Sequence, residues 1–231
     1  MVKKRKPKTA GLIFEREKYP DYPFIVGLDE AGRGAWAGDV VVGAVALPLH
    51  LSDDELMLKL AGVRDSKEMT ALSRKRLVSK IKDIALAWGV GTSTSQQIDS
   101  MGINPATRLA LKTALADLQA RFPDFMPDFL LTDGLLKGDL GFPYQSITGG
   151  DKLSLSIAAA SVLAKTWRDD MMVKLDEVHP DYRFGQHKGY GTKLHLQLIK
   201  QHGVLPIHRR YYRPIKNAIN PDSSDSPHLF N

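Results

Sequence analysis

Three short apolar runs in this sequence each deliver the chain to an acidic residue that glycine adjoins or closely follows, and that recurrence limits the fold more than any other feature. Phe24-Ile25-Val26-Gly27-Leu28 leads into Asp29-Glu30 and then a turn marked by Gly32, Gly34 and Gly38. Residues 128–132 lead into Asp133-Gly134, and residues 144–148 into Gly149-Gly150-Asp151. Runs this short, bounded by turn residues, read as buried strands. Two more strands are expected at residues 39–47, closed by Pro48, and at residues 84–92. The short link between the first two makes them an antiparallel hairpin.

Helical spacing fills much of the rest. Leu77 and Ile81 mark a helix over residues 73–83 with Ser73 as its N-cap. Asn104-Pro105 opens another, with Leu109, Leu111, Leu115 and Leu118 as its apolar face, ending near Phe122-Pro123. The longest candidate spans residues 153–178 and is rich in small side chains (Ala158, Ala159, Ala160, Ser161, Ala164) that let a helix lie close to a sheet. A last helix over residues 193–202 stops at Gly203. Strands first, then strand–helix alternation, give an α/β fold with a mixed sheet. The domain is expected over residues 21–216, between a basic flexible arm (1–20) and a disordered tail (217–231).

An acid at the end of an apolar strand sits at the core edge, where desolvation is costly and like charges repel. Gathering Asp29, Glu30, Asp133 and Asp151 there becomes favourable when a divalent cation neutralises them. Two such ions can activate a water and stabilise the leaving oxygen of a phosphoryl displacement. Each acid alone has a plainer reading as a turn or helix cap, and Asp151 stands where the N-cap of the following helix would. Neighbours on a strand point to opposite faces, so Asp29 and Glu30 share one ion only through twist or a bulge. Gly32-Arg33-Gly34 adds unshielded backbone and a guanidinium fork suited to phosphate.

The chain has no cysteine, which excludes disulfides and thiolate metal sites and leaves ligands that favour magnesium or manganese. Within a net charge of +6, five positive charges fall in residues 1–10 and eight in residues 182–216, both stretches free of acids, so the remainder is net acidic. That polarity suits a polyanion held beside a carboxylate cluster. The longer basic stretch, with His187, His202, His208, Tyr190, Tyr211 and Tyr212, is expected to contact phosphate, whereas the first reads as a solvated tail. The longest apolar stretch, residues 40–49, is too short to span a membrane, and no secretory core follows the basic start. The cytoplasm is the expected compartment.

Four blocks taken together resemble ribonuclease HII, the type 2 ribonuclease H family. They are Gly27-Leu28-Asp29-Glu30-Ala31-Gly32-Arg33-Gly34; Asp65-Ser66-Lys67; Ser156-Ile157-Ala158-Ala159-Ala160-Ser161 through Ala164-Lys165; and His187-Lys188-Gly189-Tyr190-Gly191-Thr192 followed by His208-Arg209-Arg210. The resemblance covers about residues 25–215. It implies a ribonuclease H-like mixed β-sheet flanked by helices, with a smaller helical C-terminal portion. It further implies an enzyme that uses Mg2+ or Mn2+ to cut RNA in RNA–DNA hybrids and ribonucleotides in duplex DNA, leaving 5′-phosphate and 3′-hydroxyl ends; a monomer is the expected state.

By the same resemblance Asp29, Glu30, Asp133 and Asp151 hold metal, and the backbone of Gly32-Arg33-Gly34 grips the ribonucleotide 2′-hydroxyl. Tyr190 packs on the deoxyribose past the scissile bond, with core packing as its alternative, and Lys67 contacts phosphate. Lys165, Asp169, His208, Arg209 and Arg210 also match the motifs. Three positions depart from the usual pattern: Ala35-Trp36 after the glycine turn, Asp39, and Gly149-Gly150 where a lysine commonly precedes the last glycine. The Gly-Arg-Gly form, and the lack of a long N-terminal extension, favour ribonuclease HII over ribonuclease HIII. A structure-selective DNA nuclease with the same acidic site and a non-catalytic nucleic-acid-binding module are the competing readings.

Overall fold

The computed structural model describes residues 10–63, 66, 69–134 and 138–220. Five strands form one sheet: β1 (Ile25–Ala31), β2 (Val40–Ala46), β3 (Ala87–Ser93), β4 (Phe129–Asp133) and β5 (Tyr144–Ile147), in the order β3-β2-β1-β4-β5. The β1–β2 and β2–β3 pairs are antiparallel, whereas β1–β4 and β4–β5 are parallel. The expected hairpin and mixed sheet are both present. The first strand continues through Asp29-Glu30 to Ala31, so its acids lie within the ladder and not beyond its end.

Helices cover both faces. α5 (Ile103–Arg121) buries Ala110, Leu111, Ala114, Leu115 and Leu118 against β2 and β3. On the opposite face α6 (Leu155–Val178) crosses β1 and β2 with its alanines fully buried. The fit is close: a Cβ on Gly43 would strike the Ala160 carbonyl, and one on Gly27 would strike the Ser156 backbone. Small residues on both partners bring backbone against backbone, and a methyl group at either glycine would push the helix off the sheet.

Other helices depart from the sequence reading. α3 (Ala71–Ile84) begins two residues earlier than expected; Thr70 is its cap, and Ser73 supplies the amide that Thr70 accepts. α2 (Asp53–Lys59) and α4 (Ser95–Met101) are additional, each closed by a capping box, Ser52 with Glu55 and Thr94 with Gln97. Residues 10–20 are not a flexible arm. They contain α1 (Ile13–Lys18), and Glu15 within it is fully buried. Gly11 pairs with the start of α6 through Gly11 N–H to Leu153 O at 3.1 Å and Leu155 N–H to Gly11 O at 2.7 Å.

The C-terminal portion is helical, as the family resemblance implied: α7 (Phe184–His187), α8 (Lys193–His202) and α9 (Arg213–Ile219). Residues 217–219 therefore belong to α9 and not to a tail. This portion has its own apolar cluster of Tyr182, Phe184, Ile199 and Ile215, which closes on Met172 of α6 and Ala37 of the loop after β1. The loop carrying the glycine turn is thus held between the sheet and the C-terminal helices.

Candidate active site

Parallel pairing of β1 and β4 sets Leu28 opposite Thr132, which brings the next residues, Asp29 and Asp133, to the same end of the sheet. β5 then pairs with β4, Asp133 opposite Ile147, and the 3-10 turn Gly150–Lys152 swings Asp151 beside them. One carboxylate oxygen from each of Asp29, Asp133 and Asp151 lies within 4.8 Å of the others. Local hydrogen bonds fix two of them: the Glu30 amide donates to Asp29 Oδ1 at 2.7 Å, and the Gly150 amide donates to Asp133 Oδ1 at 2.7 Å. Ser154, and not Asp151, caps α6, so the helix-cap alternative for Asp151 does not hold.

Asp29 and Asp151 are buried, and Asp133 is half-buried. Burial first, then the charge of Glu30, raises the Asp29 pKa well above the ordinary carboxylate value, with Asp133 adding to the effect. Hydrogen bonds from Ser161 and the Glu30 amide oppose that rise but do not cancel it. Crowded, desolvated acids of this kind are suited to a divalent cation. At a metal–oxygen distance of about 2.1 Å, two ligands on opposite sides of one ion lie roughly 4.2 Å apart, close to the spacing here. The residues fit magnesium or manganese.

Glu30 is not part of that trio. The strand alternation anticipated from the sequence puts it on the other face from Asp29, where its carboxylate stands 3.8 Å from the Arg33 guanidinium. From there it forms one wall of a cleft of about 490 Å3 shared with Gly32, Arg33, Gly34, Ser66, Arg74, Lys165 and Tyr190. Glu30 therefore joins the cleft to the carboxylate trio.

The glycine turn borders this cleft. Gly34 opens onto free space, so a ligand can reach its backbone. The Arg33 side chain, expected to serve as a free phosphate fork, is instead held by Asn104 and faces Glu30. Its carbonyl accepts from Arg209 Nη1 at 2.9 Å and from the Tyr212 hydroxyl. Arg209 is fully buried and also donates to Gly38 O at 2.8 Å. Arg168, likewise fully buried, donates to Ala37 O, Asp39 O and Lys188 O at 2.8–3.0 Å. Neither guanidinium is available to phosphate; together they hold the carbonyls of Arg33, Ala37, Gly38 and Asp39.

Tyr190 is half-buried, with the Lys165 ammonium 5.5 Å and the Arg168 guanidinium 5.3 Å from its ring. Lys165 is tied to Asp169 at 2.6 Å, and the same carboxylate takes Arg74 at 2.6 Å. Ser66 bonds Ser161 at 2.8 Å, and Ser161 in turn reaches Asp29, so the second sequence block touches the carboxylates through two hydroxyls. Lys67 lies outside the described residues. Much of the basic C-terminal stretch is internal: His187, His208 and Arg209 are buried, while Tyr211 is exposed. Arg168 and the two serines had no assigned role in the sequence; Ser66 and Ser161 stand inside the family blocks, whereas Arg168 lies three residues beyond the third. Trp36 lies against Gly191 and over the His195 ring, so the departure at Ala35-Trp36 is filled by packing.

The ribonuclease HII family model matches residues 26–214. The chain belongs to the ribonuclease HII family. It is 48% identical over 196 residues to ribonuclease HII of Dehalococcoides mccartyi, covering 85% of this chain and 88% of that one. The crystal structure of ribonuclease H2 from Pyrococcus horikoshii superposes with a TM-score of 0.65 at 25% identity, over 84% of this chain and 96% of that one. A Bst ribonuclease HIII crystallised with Mn2+ shares the fold, with a TM-score of 0.64 at 20% identity over 85% and 69% of the two chains. As a ribonuclease HII, the chain is a metal-dependent endoribonuclease acting on the RNA of RNA–DNA hybrids. Among the described residues no helix is long and apolar enough to cross a membrane.

Proposed function

We propose that this ribonuclease HII cuts both RNA tracts paired with DNA and single ribonucleotides embedded in duplex DNA, leaving 5′-phosphate and 3′-hydroxyl ends. The observation that carries the proposal is the approach of Asp29, Asp133 and Asp151 to within 4.8 Å, beside a cleft bordered by an accessible glycine turn. Asp29, Asp133 and Asp151 hold the divalent ions, with Glu30 completing the set from the cleft side. When bound, such ions supply a nucleophile from water and stabilise the leaving 3′ oxygen. The chain's own groups do the rest. The backbone at Gly32-Arg33-Gly34 reads the 2′-hydroxyl, the group that distinguishes RNA from DNA. Tyr190 packs against the sugar beyond the cut, and Lys165 meets phosphate, as does Lys67 of the second sequence block.

Cleavage of a duplex carrying one ribonucleotide, beside the same duplex in DNA alone, tests this with Mg2+ and Mn2+ in turn. Cutting is expected only at the ribonucleotide. Equal cutting of the all-DNA duplex would make the chain a DNA nuclease of the same acidic class, and binding without cutting would make it a non-catalytic module.

A further inference from the structure

Three histidines of the basic C-terminal stretch lie together inside the C-terminal portion, and the roles assigned above use none of them. The His187 and His195 rings stack with centroids 4.1 Å apart, and His195 Nε2 lies 3.1 Å from His208 Nε2. All three are buried. Their backbone partners determine where each proton sits. The Leu205 amide donates to His208 Nδ1 at 2.9 Å, so that nitrogen accepts and the proton is on Nε2. His208 Nε2–H therefore donates to His195 Nε2, which leaves the His195 proton on Nδ1, where it donates to the Tyr190 carbonyl at 3.0 Å. In parallel, the Gly189 amide donates to His187 Nδ1 at 3.2 Å, and His187 Nε2–H donates to Tyr182 O at 2.7 Å. Leu205 O also lies 3.3 Å from His208 Nδ1, but the Tyr190 carbonyl can only accept, so His195 carries its proton on Nδ1, its Nε2 accepts, and the chain of bonds has one direction.

The segment this chain ends on needs support. Lys188 and Gly189 both have positive φ, +52° and +75°, a conformation that costs a non-glycine residue roughly 1 kcal/mol. Its carbonyls are each held: Lys188 O by Arg168, Gly189 O by the Trp36 amide at 2.8 Å, and Tyr190 O by His195 together with the Thr192 amide at 2.8 Å.

We propose that His208 and His195 form a one-directional hydrogen-bond relay that positions Tyr190, and through it sets the enzyme's discrimination at the RNA–DNA junction. The inference rests on the reading of Tyr190 as a sugar-packing residue. His195 and His208 are positioning residues; neither reaches substrate. Burial agrees with their neutral state, since it drives both histidines to titrate far below the ordinary imidazole range.

Isosteric variants test the relay, because asparagine places its amide near imidazole Nδ1 and glutamine places its amide near Nε2. His195→Asn keeps the donor to Tyr190 O and is expected to retain junction preference, measured as the cleavage ratio between a single-ribonucleotide duplex and an all-RNA strand paired with DNA. His195→Gln loses that donor and is expected to shift the ratio about five- to tenfold toward the value of Tyr190→Ala, the scale of one lost hydrogen bond. At His208 the order reverses: glutamine keeps the donor to His195 and the preference, while asparagine loses both.

Melting temperature is measured alongside. If junction preference follows melting temperature and not this crossed order, the histidines are only structural and the relay is wrong. A His195 pair with equal ratios overturns it too, and the His208 pair serves if a His195 variant fails to fold. If Tyr190→Ala itself leaves the ratio unchanged, the reading of Tyr190 has failed and the relay falls with it.

Discussion

Arg168 fills the space that a side chain at Gly32 would need. A Cβ built on Gly32 would collide with the Arg168 Nε and Cδ atoms, and Gly32 has a φ of +89°, which disfavours any other residue. Two independent constraints thus converge on one position of the turn. Gly32→Ala is expected to destabilise the protein by about 2 kcal/mol through strain and overpacking. It should also lower cleavage more than tenfold while leaving metal binding by calorimetry intact. A variant with wild-type cleavage would show that the turn does not read substrate.

Asp29→Asn is expected to reduce metal-dependent cleavage at least a hundredfold while duplex binding persists. The same change should raise the melting temperature of the metal-free protein. The Asp29 carboxyl is buried beside Glu30 and Asp133, which raises its pKa and makes its charge costly in the fold. Scanning calorimetry in a chelator checks this. A lower melting temperature would mean that Asp29 is a structural hydrogen-bond acceptor first and a metal ligand second.

Glu15 is fully buried and accepts from Ser154 Oγ, Ser156 Oγ and the Ser156 amide at 2.6–2.9 Å, all at the start of α6. Glu15→Ala strands those donors and is expected to cost about 3 kcal/mol, or roughly 5–10 °C in melting temperature. Glu15→Gln, which keeps an acceptor of the same reach, should lose less. An unchanged melting temperature in Glu15→Ala would remove α1 from the folded domain.

Acid should weaken the fold through the buried histidines. Burial, then the neighbouring His187, lowers the His195 pKa to about 3, and burial lowers that of His208 to about 4, against an unfolded value of 6.5. Both stay neutral in the fold and take up a proton on unfolding. Their stabilising contribution is therefore complete above pH 6.5 and declines as pH falls from there toward 4 and 3. Each adds a slope of about 1.4 kcal/mol per pH unit in that window. Urea unfolding between pH 7.5 and 5 measures it, and His195→Asn should have a shallower slope than the parent. Identical slopes would place the titration elsewhere.

The sheet and its acids were legible because the relevant signals are local. Apolar runs ending at Asp29, Asp133 and Asp151 read as strands or turns without knowledge of the partner strand. The alternation rule also anticipated that Asp29 and Glu30 would face apart. Two helices had readable capping boxes, Ser52-x-x-Glu55 and Thr94-x-x-Gln97, that apolar spacing alone did not bring out. What stayed hidden depends on burial, which a charge count cannot see. Arg209, His187 and His208 look like surface for a polyanion, yet each spends its donors on main-chain or imidazole groups within the core. Likewise the basic start of the chain masked Glu15, whose partners lie 139 and 141 positions further on.

The parallel pairing of β1 with β4 also fixes when this enzyme becomes dangerous to its substrate. The Phe24 amide bonds Asp128, 104 positions later, at the entrance to that pairing, and the carboxylate trio closes only once Asp151 is also in place. At ribosomal rates of about 5–20 residues per second, Asp29 waits roughly 6–25 s for its companions. A growing chain therefore carries one end of a nuclease without its chemistry, and cutting power arrives in a single late step.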